Sequence, residues 1–78
     1  MSMNLAFYVQ GGGGYVDFPF QTPTEMSYEV LAEKTLEGRL KIVRRELKAW
    51  GVDEDLIEEY LEQIDQYLKN PNLTLTVV

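Results

Sequence analysis

The spacing of apolar residues changes twice along this chain, and each change dictates a different kind of backbone. From Asn4 to Gln10 the side chains alternate, with Leu5, Phe7 and Val9 on one side and Ala6, Tyr8 and Gln10 on the other. Four consecutive glycines follow, Gly11 to Gly14, and the alternation resumes from Tyr15 with Val16, Phe18 and Phe20 on one side. A period of two on both flanks of a glycine turn specifies a β-hairpin with one buried face. Glycine permits the positive φ that a tight reversal needs. Pro19 has no amide hydrogen to give a neighbour, so this second strand lies at a sheet edge or ends there.

The period then becomes helical. Thr22-Pro23-Thr24-Glu25 reads as a helix start, with Thr22 as cap, Pro23 at the first helical position and Glu25 closing a capping box. This helix is expected to reach about Thr35, with Met26, Val30 and Leu31 inward. From Leu36 the residues Leu36, Leu40, Val43, Leu47 and Trp50 form a single apolar stripe at helical spacing. One continuous helix from Pro23 to Trp50 would be about 40 Å long at 1.5 Å per residue, too long for so small a domain. A break between Thr35 and Gly38 is therefore expected. Gly51 suits the left-handed position that ends a helix. Asp53 is placed to cap the next one, whose inward face is Leu56, Ile57, Tyr60, Leu61, Ile64, Tyr67 and Leu68. Asn70-Pro71 stops that helix. Leu73 to Val78 alternates again, with Leu73, Leu75 and Val77 inward, as a third strand.

The expected fold class is α+β, one domain over residues 1–78 in two layers. A three-stranded, mainly antiparallel sheet, the N-terminal hairpin plus the C-terminal strand, packs on an antiparallel helical hairpin in the order β-β-α-(α)-α-β. The pattern leaves open which hairpin strand the C-terminal strand joins.

Charge is sorted along the two sharpest helical windows. Five of the seven basic residues, Arg39, Lys41, Arg44, Arg45 and Lys48, fall between positions 39 and 48. Seven of the thirteen acids, Asp53, Glu54, Asp55, Glu58, Glu59, Glu62 and Asp65, follow without a base among them. The simplest reading is two solvated faces that pair across the hairpin. A second reading makes the strip of Glu54, Glu58, Glu62 and Asp65 a docking face for a basic partner, because evenly spaced carboxylates imitate a phosphate backbone. Tyr8 and Tyr15, on the outer face of the hairpin, form another candidate contact surface; tyrosine is enriched at interfaces and also in exposed strands.

Composition narrows the chemistry. The chain has no histidine and no cysteine, which removes the commonest general base, thiolate nucleophiles, disulfides and most transition-metal sites. Ser2 and Ser27 are the only serines, and neither has a histidine to activate it. The glycine run lacks the following lysine, hydroxyl and helix of a phosphate-binding loop. Asp53-Glu54-Asp55 lacks the alternating ligands and central glycine of a calcium loop. No catalytic, cofactor or metal site is expected. A net charge of −6 argues against general affinity for nucleic acid or anionic membrane. No leader or membrane span is expected, Asn72-Leu73-Thr74 is read as a chance match to a glycosylation site, and the location is taken as cytoplasmic.

The functional expectation is a small acidic interaction protein without enzymatic activity: an adaptor, inhibitor or regulatory accessory factor of the kind that phages and mobile elements carry. It would present Glu54, Glu58, Glu62 and Asp65, or Tyr8 and Tyr15, to a protein partner. The alternative is a structural protein that self-assembles as a homo-oligomer with no separate ligand.

Overall fold

The computed structural model describes residues 4–78; Ser2 and the first residues of the N-terminal segment read for a leader lie outside them. Six elements follow one another: β1 (Leu5–Val9), β2 (Tyr15–Asp17), α1 (Thr24–Ala32), α2 (Leu36–Ala49), α3 (Glu54–Lys69) and β3 (Leu73–Val77). The three strands form one antiparallel sheet in the order β2-β1-β3, so the C-terminal strand joins β1 and places it at the centre. Phe7 lies opposite Val16 on one side and Leu75 on the other, while Leu5 faces Val77 and Val9 faces Leu73. That register puts Leu5, Phe7, Val9, Val16, Leu73, Leu75 and Val77 on one face, as the period-two pattern requires, whereas the second strand stops at Asp17, short of the alternation expected to reach Phe20.

The helices pack on that face. Leu5, Phe7 and Phe18 from the sheet meet Met26 and Val30 of α1, Val43 and Leu47 of α2, and Ile57, Leu61 and Ile64 of α3 in one buried cluster. Phe7 sits near its centre, stacked on Phe18 at 5.6 Å between ring centroids and edge-on to Tyr67 at 5.2 Å. Helix α2 packs against both α1 and α3.

The glycine run makes the hairpin turn. Gly11, Gly12 and Gly14 all have φ near +85° to +89°, and a Cβ at Gly13 would fall 2.7 Å from Val9 Cγ1. The loop closes where the Val9 amide donates to the Gly14 carbonyl at 2.9 Å. Gly51, with φ +79°, ends α2 as expected. The amides of Gly51 and Val52 donate to the carbonyls of Lys48 and Leu47, the double closure of a Schellman motif.

Several local expectations are corrected. Thr22 does not cap α1: Pro23 occupies the cap position, with no side-chain bond. Thr22 is buried instead, and its hydroxyl accepts from the Leu5 amide at 2.8 Å. Helix α1 ends at Ala32, so the break lies over residues 33–35, just ahead of the expected site. It is made by two side chains. The Glu33 carboxylate accepts from the amides of Lys34 and Thr35 at 3.0 and 3.3 Å, and the Thr35 hydroxyl caps α2 by accepting from the Gly38 amide at 3.0 Å. These bonds hold the Glu33 carboxyl below its usual range, the Thr35 amide first and the Lys34 amide second. Gly38 gives Glu33 its room, because a Cβ there would overlap the glutamate side chain. Asp53 takes the cap position of α3 but makes no side-chain cap bond. Three residues expected inward are exposed: Trp50, Leu31 and Leu56. Trp50 lies past the last helical residue, where the stripe no longer points at the core, and rests edge-on against Phe20 at 5.8 Å.

Candidate functional site

The charged windows become neighbours because the Gly51 turn sends α3 back along α2. Arg44 Nη1 lies 2.6 Å from Glu58 Oε1 and 3.3 Å from Glu54 Oε1, and Lys48 Nζ lies 3.9 Å from Glu54. The Arg44 guanidinium holds the Glu58 carboxyl below the usual carboxylate range, chiefly by hydrogen bonding, and Arg44 is raised in turn.

The other side of α2 is tied to α1. Arg39 Nε donates to the Val30 carbonyl at 3.1 Å and Nη2 to the Leu31 carbonyl at 3.4 Å. A cation on the last carbonyls of α1 satisfies groups left open at a helix end and opposes its dipole. Arg45 reaches Glu29 of α1 at 2.7 Å and Glu46 at 3.1 Å. The basic window is thus the middle helix of three, and four of its five bases face inward partners. Lys41 forms no ion pair among the described residues.

Between α2 and α3 the surface sinks into an open groove of about 580 Å³. Half-buried Leu40 and buried Leu61 form its apolar floor. Glu37, Lys41 and Arg44 line the α2 wall, and Glu58, Glu62 and Asp65 the α3 wall. Four carboxylates therefore face two bases, and Arg44 is already committed to Glu58 and Glu54. Asp65 pairs with Lys69 one turn along at 3.0 Å. Glu37 and Glu62 line the groove and make no ion pair among the described residues, and the one base there outside an ion pair is Lys41.

The six residues marked in the sequence thus separate into two surfaces. Glu58, Glu62 and Asp65 share one wall of the groove, and Glu54 stands outside its lining, held by Arg44 and Lys48. Tyr8 and Tyr15 sit on the opposite, outer face of the sheet, edge-on to one another at 5.6 Å and well exposed. Beside them Gln10 Nε2 donates to the Thr74 hydroxyl at 2.8 Å. The sequence reading missed Leu40 and Leu61 as groove residues, since both belong to stripes that also feed the core. It missed Trp50 as a surface residue too. The tryptophan borders a second, shallower hollow with Asn4, Gln21, Thr22 and Pro23. Its position immediately before Gly51 was the available signal.

Among the described residues no group of three histidine, cysteine or acidic side chains is placed to hold a metal ion, and no helix is long and apolar enough to cross a membrane. Ser27 is buried, with its hydroxyl bonded to the Pro23 carbonyl at 3.0 Å and to Thr22 at 2.8 Å. Comparison with protein-family models, with curated proteins and with solved structures finds no match to this chain.

Proposed function

We propose that the protein is a small cytoplasmic interaction module without enzymatic activity, an adaptor, inhibitor or regulatory accessory factor, that receives a basic amphipathic helical segment of a protein partner in the α2–α3 groove. The observation that carries this reading is the groove itself: an apolar floor of Leu40 and Leu61 beneath a rim on which Glu37 and Glu62 make no ion pair among the described residues. A docking helix would set apolar side chains spaced three and four residues apart on the floor and turn lysines or arginines toward the carboxylates. Burial of the apolar stripe supplies affinity. The carboxylate wall, reinforced by a net charge of −6, speeds encounter and sets orientation, so the association rate should fall as salt rises.

The test must spare the hairpin. Reversing Glu58 would place a lysine beside Arg44 and break the pair that joins α2 to α3, whereas Glu62→Lys changes the rim alone. Titrating the isotope-labelled protein with a synthetic leucine–lysine amphipathic helix should move the amide resonances of Leu40, Lys41, Leu61 and Glu62, and Glu62→Lys should weaken the effect. A leucine–glutamate helix should not bind. Equal binding by the Glu62→Lys variant, or shifts scattered over the whole surface, would sink the proposal.

A further inference from the structure

The two edges of the sheet are not equally protected, and the difference identifies an interface that is independent of the groove. Strand β2 is three residues long, includes Asp17 and runs into Pro19. Those are the usual means of blunting an edge against pairing with another chain. Strand β3 has none of them: its five residues, Leu-Thr-Leu-Thr-Val, contain no charge and no proline.

The bonding parity of β3 shows which backbone groups its free edge presents. Asn4 and Val78 exchange both backbone bonds at 2.9 Å, and the Gln10 amide donates to the Asn72 carbonyl at 2.8 Å. In an antiparallel ladder such pairs alternate with unbonded ones. Thr74 and Thr76 therefore bond inward to β1, and Leu73, Leu75 and Val77 direct their backbone groups outward. The Leu73 amide is taken by the Asn70 carbonyl at 3.1 Å. What remains is the Leu73 carbonyl together with both groups of Leu75 and of Val77.

We infer that β3 pairs antiparallel with β3 of a second copy of this chain, across a two-fold axis at Leu75, to make one continuous six-stranded sheet. The outward groups match that operation. Leu75 of each copy donates to Leu75 of the other, and each Val77 amide donates to the opposite Leu73 carbonyl, giving four backbone bonds with none blocked by the Asn70 contact. Side chains fall into like environments: Leu75 beside Leu75 on the helix-covered face, and Thr74 beside Thr76 on the outer face, a favourable cross-strand pair. Charge favours the same site. Positions 70–78 carry no charged side chain, so two copies with six excess negative charges each meet there without setting carboxylates against one another.

Area completes the argument. A specific interface buries roughly 800 Å² per partner, more than a five-residue edge supplies. Helices α1 and α3 both pack against β3, so the two-fold axis also brings helical surface of the two copies together. Of these, α1 leaves Leu31 exposed at 37 %, an apolar side chain placed to extend the contact.

Sedimentation and amide exchange on the full chain, from about 1 µM to about 1 mM, test the pairing. The expected result is a monomer–dimer equilibrium in which the Leu75 and Val77 amides become protected as dimer forms. Leu75→Pro removes an amide hydrogen that no group among the described residues of the monomer uses, and with it two of the four bonds, so dimerisation should weaken by roughly tenfold or more. A second variant, Thr74→Lys with Thr76→Lys, sets like charges across the axis on the outer face and should weaken it independently. A monomer at every concentration overturns the inference. So does a dimer in which the Leu75 and Val77 amides exchange freely, and so does protection that is already complete in the monomer.

Discussion

The Thr22 hydroxyl sits where the sheet runs out of partners. Odd-numbered residues of β1 direct their amides toward β2, as the Val9 bond to Gly14 shows, but β2 ends at Asp17. Leu5 would be left with a buried amide and no acceptor. Thr22 accepts from it, and its hydroxyl shares a second hydrogen bond with the Ser27 hydroxyl, which is in turn placed to donate to the Pro23 carbonyl. One short chain of bonds thus joins the central strand to the first turn of α1. Thr22→Val keeps the shape and removes the acceptor, leaving the buried Leu5 amide unsatisfied at about 1–3 kcal/mol. Thr22→Ser should retain most of the stability. Urea midpoints of the two variants check this, and equal midpoints would mean that the chain of bonds contributes nothing. The same residue marks the limit of local reading. Thr-Pro-Thr-Glu is a good capping sequence, but a hydroxyl goes to the costlier vacancy, and a buried amide 17 positions away is not visible in a window of four residues. Trp50 escaped for a related reason: a helical stripe predicts burial only while the helix lasts.

The elements themselves were legible because periodicity, glycine and charge each act over short range. Gly11 to Gly14 and Gly51 mark turns that the backbone angles require, and Leu5, Phe7, Val9, Val16, Leu73, Leu75 and Val77 share one face as the alternation indicates. The order of the strands was not legible, since the C-terminal alternation fits against either hairpin strand. The sorted charge was legible as a pattern but not in its use. Its basic half proves to be the middle helix, fastened to α1 by Arg39 and Arg45 and to α3 by Arg44 and Lys48. The Gly51 turn is what makes that fastening possible. Gly51→Ala forces a Cβ into the left-handed region at a cost of about 1–2 kcal/mol. Because no neighbour crowds the site, the loss should appear as a lower melting temperature with the fold retained. An unchanged melting temperature would show that the turn relaxes into another geometry.

At the scale of the whole molecule, these fastenings decide which charge remains outside. The bases of α2 are largely spent between helices, so much of the surplus of thirteen acids over seven bases is displayed along α3 and the rim of the groove. That surplus raises solubility and repels like molecules, yet the pairs at Arg44 need their carboxylates ionised. The two demands separate with pH. Glu58 is held below the ordinary glutamate range by Arg44, and Glu33 by the Thr35 and Lys34 amides. A carboxyl depressed by folding contributes stability in full above its unfolded pKa of ~4.3, and the contribution is lost as pH falls through the lower folded value. Stability should therefore hold between neutrality and about pH 5 and decline below about pH 4. Arg44→Gln removes the main cause at Glu58 and leaves the smaller effect of Lys48, so in that variant the Glu58 carboxyl should titrate higher than in the parent and the acid decline should be shallower, with the Glu33 share intact. Carboxyl resonances followed by NMR, beside urea unfolding at pH 6, 4 and 3, read the two effects separately. If Glu58 titrates alike in both proteins, the Arg44 bridge does not persist in solution, and the groove would lose the fixed wall against which a basic helix is to dock.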